Sequence, residues 1–226
     1  MTGNAYRLSQ GRPSREPLYS EGTREHFPIP SEYKKVEYID FISSHVKNCD
    51  NMLISQSLYK KKFTGIFGPH KRYKSKAASW GKKSTYDNLV EYVKQEWKSD
   101  KNIFSLEADE TGSFYVYLVE GYGDDQSIVK ELSKVKKNWD DGKMITSCTS
   151  KGSTYYIVMT DNVNGYHGKG QSYFSRSSWS DIESEIKKCY KDGRIITSIC
   201  YNHGLHEYLV VMTTSPAGQS YKRTSD

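Results

Sequence analysis

A self-similarity that returns roughly every 50 residues constrains this chain more than any other feature, because a period of that size signals tandem structural units. The clearest pair aligns Trp139-Asp140-Asp141-Gly142-Lys143-Met144-Ile145-Thr146-Ser147 with Tyr190-Lys191-Asp192-Gly193-Arg194-Ile195-Ile196-Thr197-Ser198, an offset of 51 residues. Each copy runs on to a turn glycine (Gly152, Gly204) and then to Tyr155-Tyr156-Ile157-Val158-Met159-Thr160 or Tyr208-Leu209-Val210-Val211-Met212-Thr213. Each closes on Gly-Gln-Ser-Tyr, at 170–173 and 218–221. A fainter copy runs from Trp97 through Ile103-Phe104-Ser105 and Gly112 to Tyr115-Val116-Tyr117-Leu118-Val119, and the faintest holds Asp50, Leu53-Ile54-Ser55 and Phe63 to Phe67. The helix-ending positions Asp50, Asp100, Gly142 and Gly193 step by 50, 42 and 51 residues.

Each copy predicts a helix followed by two strands. Apolar residues recur at steps of three and four in Val36, Ile39, Ile42, Val46; in Leu89, Val93, Trp97; in Ile128, Leu132, Val135, Trp139; and in Trp179, Ile182, Ile186, Tyr190, one helix face in every case. Ser180 with Glu183 fits a capping box at the start of the last helix. Gly142 and Gly193 suit the left-handed residue that ends a helix, and Asp50 and Asp100 are less comfortable substitutes. The β-branched and aromatic runs that follow, joined by short turns, read as hairpins, with Gly-Gln-Ser-Tyr as a third short strand closing the unit. One unit cannot cover its own sheet, so neighbours must pack together. The expectation is an α+β fold of about four tandem helix-strand-strand repeats in one compact body. Its units lie at about 36–80, 86–128, 129–173 and 178–221, with a basic loop at about 68–85 and a tail at 222–226.

Residues 1–35 form a separate extended arm. Its first 30 residues hold four of the six prolines and four arginines, a composition that cannot repay the entropy of ordering by itself. No run approaches the roughly 18 apolar residues of a membrane span, and the first 30 residues have no apolar segment of a secretory signal. Cys49, Cys148, Cys189 and Cys200 are too scattered for a disulfide scaffold, so a reducing, cytoplasmic compartment is expected.

The pattern Trp-x-x-Gly-x-x-Ile-Thr-Ser, turn glycine, aromatic-x-Val-Val-Met-Ser/Thr and a Gln-containing tail resembles the repeated module in the C-terminal region of plant casein-kinase-I-like nuclear kinases. It is carried by Trp139, Gly142, Ile145, Thr146, Ser147, Tyr156, Val158, Met159 and Thr160, and by Gly193, Ile196, Thr197, Ser198, Tyr208, Val210, Val211, Met212 and Thr213. Tyr190 replaces the helix-end Trp. The resemblance implies the fold module and says almost nothing of activity, since the kinase domain that carries the chemistry has no counterpart in these residues.

Charge is concentrated. The chain carries a net +6, yet residues 51–86 alone hold nine cations and no acid, so the other 190 residues sum to −3. These cations are Lys60, Lys61, Lys62, Lys71, Arg72, Lys74, Lys76, Lys82 and Lys83, interleaved with Tyr59, Phe63, Phe67, Tyr73 and Trp80. That pattern suits a polyanion or an acidic protein face. With Arg7, Arg12, Arg15 and Tyr19 of the arm, they are the candidate partner-binding residues.

Other chemistry is weaker. Cys200-x-x-His203-x-x-His206 is the only metal-like spacing, but it falls on a hairpin turn that presents too few ligands for zinc. The Thr146-Ser147 and Thr197-Ser198 pairs recur without a base at fixed offset, which favours strand packing over nucleophilic catalysis. Gly121-Tyr122-Gly123 and the glycines from Gly165 to Gly170 match no phosphate-binding fingerprint. No enzyme, cofactor, metal, membrane or small-molecule substrate is expected. The arm's alternation of Arg, Tyr, Pro and Ser is similar to the anchoring arms of proteins that decorate ciliary microtubules from inside. The leading expectation is therefore a non-catalytic structural protein of the cytoskeleton, anchored to axonemal microtubules through the acidic surface of tubulin. The alternative is a nuclear nucleic-acid or chromatin module that uses residues 60–83. Trp139→Ala and Ile145→Ala should each cost a few kcal/mol in thermal or urea unfolding as core truncations, whereas substitution of His203 should leave the midpoint unchanged.

Overall fold

The computed structural model describes residues 52–59, 62–68, 76–109, 111–163 and 170–214. A first hairpin, β1 (Met52–Tyr59) and β2 (Lys62–Gly68), is followed by three units with the same order of strand, helix, strand and strand. One unit is β3 (Ala78–Lys83), α1 (Tyr86–Trp97), β4 (Lys101–Ala108) and β5 (Phe114–Glu120). The next is β6 (Gln126–Val129), a single 3-10 turn running into α2 (Val135–Asp140), then β7 (Met144–Lys151) and β8 (Thr154–Thr160). The last described is β9 (Gln171–Arg176), α3 (Trp179–Lys191), β10 (Arg194–Asn202) and β11 (Glu207–Thr214). The sheets are antiparallel with the last strand central: β3-β5-β4, β6-β8-β7 and β9-β11-β10. Mixed α+β structure is thus established.

The phase of the repeat differs from the sequence reading. The Gln-Ser strand does not close its own unit; β9 pairs with β11, and Gln171 lies opposite Thr213. Likewise β6 pairs with β8, so Ile128 sits in a strand opposite Val158 rather than on a helix. There it packs against the α1 core, and α2 is correspondingly short. The expected basic loop at 68–85 contains a strand, because Ala78–Lys83 completes the sheet alongside β5. The last helix starts earlier than expected: Ser178, not Ser180, is its cap, accepting from the Asp181 amide at 3.2 Å. The arm, the first predicted helix with Cys49 and Asp50, residues 164–169 and the second Gly-Gln-Ser-Tyr lie outside the described residues.

The predicted helix ends agree with the structure. Gly142 (φ 88°), Gly193 (φ 72°) and Asp100 (φ 56°) all adopt the left-handed conformation there. Each hairpin also bulges at the middle residue of an Ile-x-Ser triplet, or of Leu-x-Ser in the first, with register shifts across Ile54, Phe104, Thr146 and Thr197. A bulge places one extra residue in a strand and sharpens its twist. Thr146 and Thr197 use that position to bond Thr160 and Thr213, each at 2.8 Å.

The inner edge of each sheet abuts the face of the next. The Leu106 and Ala108 amides of β4 donate to Ser147 Oγ (3.1 Å) and Thr149 Oγ1 (3.0 Å) of β7. The Cys148 amide of β7 donates to Ser198 Oγ of β10 (3.2 Å). The recurrent serines therefore satisfy backbone donors that a bare sheet edge would leave exposed. Two of the helices fill corners between sheets: Leu89 and Val93 of α1 join Val116 and Leu118 below and Tyr156 and Val158 of the next unit above. Val135 of α2 is held in the same way between Ile157 and Met159 and the next unit's Leu209 and Val211.

A glutamine clamps each corner. Gln126 Oε1 accepts from the Ile103 amide (2.7 Å) and the Trp97 indole (3.2 Å), while Nε2 donates to Ile103 O (2.9 Å) and Thr160 Oγ1 (2.8 Å). Gln171 repeats all four bonds with Ile145, Trp139 and Thr213, at 2.7–3.0 Å. Both faces of the carboxamide are thereby used in a buried setting, where an unmade bond costs about 1–3 kcal/mol. Gln126→Leu, close in size but without polar atoms, should lower the urea-unfolding free energy by about 3 kcal/mol or more, with Trp97 fluorescence shifted. Unchanged stability would remove the clamp from the account of the fold.

Candidate functional site at the hairpin tips

The strand-helix-strand-strand order gives the body two unlike ends. Strands β3, β4, β6, β7, β9 and β10 all finish at one end, where the helices begin and the hairpins turn. Neighbouring tips touch, with the Gly204 amide donating to Gly152 O at 3.2 Å. At the opposite end, charges are paired: Lys101 with Glu96 (3.2 Å), Lys143 with Asp125 (2.7 Å) and Lys76 with Glu120 (3.8 Å).

The tips carry cations over aromatic rings instead. Lys83 Nζ lies 3.8 Å from the centre of the Tyr92 ring and Lys82 Nζ 5.5 Å from Tyr115. Lys130 Nζ stands 3.6 Å from Tyr86 and 5.9 Å from Tyr156, and Lys151 Nζ 5.5 Å from Phe114. Such contacts hold an ammonium in place for about 0.5–1 kcal/mol at exposed sites without neutralising it. No ion pair among the described residues involves any of these four lysines. Tyr86 and Tyr156 meet at a tilt, their ring centres 5.2 Å apart, and Phe114 meets Tyr156 edge-on at 4.8 Å, an apolar floor for the charges.

The titration of the floor follows from its surroundings. Burial, then the neighbouring Tyr156 and Asp87, raise the Tyr86 hydroxyl. Tyr92 is pushed up to about 12, chiefly by burial and then by Glu96. Both stay neutral at physiological pH. Burial alone would raise Asp109, but bonds from Thr111, Tyr115 and Ser113, with the charge of Lys82, hold it below the usual carboxylate range. Its oxygens are spent on those donors at 2.7–2.8 Å, so it braces the 109–113 turn.

Of the sequence candidates, Lys82 and Lys83 belong to this face, and Lys76 stands at the other end beside Glu120. Lys62 lies in β2. Lys60, Lys61, Lys71, Arg72, Lys74, Arg7, Arg12, Arg15 and Tyr19 fall outside the described residues. Lys130 and Lys151 carry no charge signal in the sequence, because Lys130 lies in a mixed stretch with Glu131, Lys134, Lys136, Lys137 and Asp140, and Lys151 has no cation beside it until the tips converge. Their signal was positional: each ends or directly follows a strand at the tip end.

A second polar cluster lies beneath the tips in the corners between units. Cys148 Sγ lies 3.2 Å from Ser198 Oγ, and its core includes Cys200. Thr149 Oγ1 lies 3.4 Å from Glu107 Oε2, and Tyr155 donates to Glu207 at 2.7 Å. Burial, then the nearby Cys148, hold the Glu107 carboxyl well above its ordinary range, although the residue keeps some exposed surface. Cys200 thus faces Cys148 and not His203 and His206, which are exposed on the turn. No group of three or more His, Cys, Asp or Glu side chains suited to a metal occurs among the described residues. The Thr-Ser pairs, likewise, are engaged with neighbouring strands.

The tip face can hold a surface of opposite charge against an aromatic floor. It presents no nucleophile with a base among the groups described above. No protein-family model and no curated protein matches this chain. Because Glu107 holds its proton more tightly when folded, its contribution is full below the unfolded value near 4.5 and is lost as pH rises through the folded value. The stability of Glu107→Gln relative to the unmodified protein should therefore grow with pH above about 4.5, measured by urea unfolding between pH 4 and 8. A pH-independent difference would place that carboxyl in water.

Proposed function

We propose that this chain is a non-catalytic interaction protein, a body of four tandem repeats that docks on an acidic protein surface through its hairpin-tip face. The observation that carries the reading is the set Lys82, Lys83, Lys130 and Lys151, four ammonium groups seated on rings and, among the described residues, none within ion-pair distance of a carboxylate. A rigid cationic surface of that kind steers acidic partners and loses little side-chain entropy on contact. The first unit, built from the predicted helix at 36–49 and the β1–β2 hairpin, continues the same pattern, as its bulge at Ile54 supports. The arm at 1–35, with Arg7, Arg12, Arg15 and Tyr19, is the second attachment, and the acidic lattice of axonemal microtubules is a partner that suits both. The shared pattern with the plant nuclear kinases enters here as a likeness of module alone. Among the described residues no helix is long and apolar enough to cross a membrane.

The test is sedimentation with microtubules, which present acidic tails. Lys82→Ala/Lys83→Ala/Lys130→Ala/Lys151→Ala should weaken binding at least tenfold at low salt, and a chain lacking residues 1–30 should weaken it further. Binding should fall as ionic strength shortens the Debye length. Unaltered binding by the fourfold variant would remove the tip face from the interaction. Tighter, steeply salt-dependent binding to a DNA duplex would replace the acidic protein surface with nucleic acid.

A further inference from the structure

Two corners share one bonding scheme and differ in what surrounds it. Where β4 meets β7, the Leu106 amide donates to Ser147 Oγ, and Thr149 follows that serine by two residues and accepts from the Ala108 amide. Where β7 meets β10, both equivalent positions are cysteines: the Cys148 amide donates to Ser198 Oγ at 3.2 Å, and Cys200 follows that serine by two residues. Residues two apart in a strand share a face, and beyond the bulge Ser198 and Cys200 lie in unbroken register opposite Val211 and Leu209. Both therefore look toward the β7 edge, and Cys148 and Cys200 pack in one core. We propose that Cys148 and Cys200 form an oxidation site, a dithiol that hydrogen peroxide converts to a disulfide joining β7 to β10.

The corner supports this reaction in three ways. Bonds that do not use sulfur hold the pair together. On one side of Cys200 the Cys148 amide is tied to Ser198, and on the other Ser150 Oγ donates to Tyr201 O at 2.8 Å. The attacking sulfur is also prepared. Ser198 Oγ lies 3.2 Å from Cys148 Sγ and already accepts from the Cys148 amide, so its hydrogen points to the sulfur. A bond from the Cys200 thiol, opposed by burial and aided by Ser198, lowers the Cys148 thiol, whereas that bond and burial raise Cys200. The thiolate is the form that attacks. Access, finally, is selective: Cys148 is 2% exposed and Cys200 partly exposed, so an oxidant little larger than water enters past Cys200. The third described cysteine, Cys189 of α3, packs in a different core.

The chemistry balances with peroxide as the one oxidant. The Cys148 thiolate attacks a peroxide oxygen: an S–O bond forms, the O–O bond breaks, and the other oxygen leaves as water with the proton Cys148 gave up. Cys200 then attacks the Cys148 sulfur: the S–S bond forms, the S–O bond breaks, and the hydroxyl leaves as a second water with the Cys200 proton. Two thiols lose two electrons and two protons, and one peroxide becomes two waters. The product ties together the units whose tips meet at Gly152 and Gly204. A thiol reductant reopens it by exchange.

The test is peptide mass mapping of the full chain after exposure to hydrogen peroxide, denaturation and alkylation. A Cys148–Cys200 bridge within the monomer, reversed by dithiothreitol, is the expected result. In urea-unfolded chain Cys189, only 11 residues from Cys200 against 52 for Cys148, closes the shorter loop and should become the preferred partner. A native Cys189–Cys200 bridge, a bridge between chains, two unreacted thiols, or the same Cys148–Cys200 preference in urea each overturns the site. The single variants separate the two roles. Cys200→Ser should accumulate Cys148 sulfenic acid, captured by dimedone, while Cys148→Ser should keep Cys200 as a thiol under the same exposure. Dimedone on Cys200 and none on Cys148 overturns the assignment of Cys148 as the attacking sulfur.

Discussion

The carboxamide of a single glutamine per corner is the interaction on which the rest of this structure depends. Gln126 and Gln171 each satisfy both backbone groups of an isoleucine in the preceding unit, and at the same time tie that unit's helix-end tryptophan to a threonine of their own sheet. An isoleucine at a sheet edge presents an amide and a carbonyl side by side, and a carboxamide is the side chain that answers both in plane. Because those groups are withdrawn from water, leaving them unmet costs more than the bonds themselves return. The clamp therefore ties each sheet to the helix end and edge strand of the unit before it.

From that constraint the remaining architecture follows. Where an edge meets a face, a wedge opens on one side, and a short amphipathic helix fills it. The unit's own sheet and the next one share α1 and α2, which explains why the chain can be stable with only 35% hydrophobic residues: each apolar stripe is buried on two sides. The buried serines and threonines are not diluting the core; they receive the edge amides. The same geometry brings every hairpin turn to one end, and so gathers lysines that are far apart in sequence.

Much of this was legible in the residues. The period, the left-handed helix ends at Gly142, Gly193 and Asp100, and the apolar stripe of α3 follow from local rules that operate within about ten residues. The phase of the unit was not. A strand of four to six residues carries the same alternating pattern whichever hairpin it joins, so Gln171–Arg176 read as the end of one unit when its ladder belongs to the next. Ile128 deceived for a related reason: it continues a step of four toward Leu132, while its backbone is committed to Val158. Among the site residues, the clustered Lys82 and Lys83 could be seen, whereas Lys130 and Lys151 could not.

The sequence by itself determined the hairpins and where α1, α2 and α3 end, because side-chain periodicity and glycine placement act on neighbouring residues. Only the tertiary structure decided which sheet each strand completes, what the repeated Gln, Thr and Ser side chains bond, and which cations share a face. Those outcomes depend on how edges meet faces across 20 to 50 residues of chain, where hydrogen-bond geometry selects the partner.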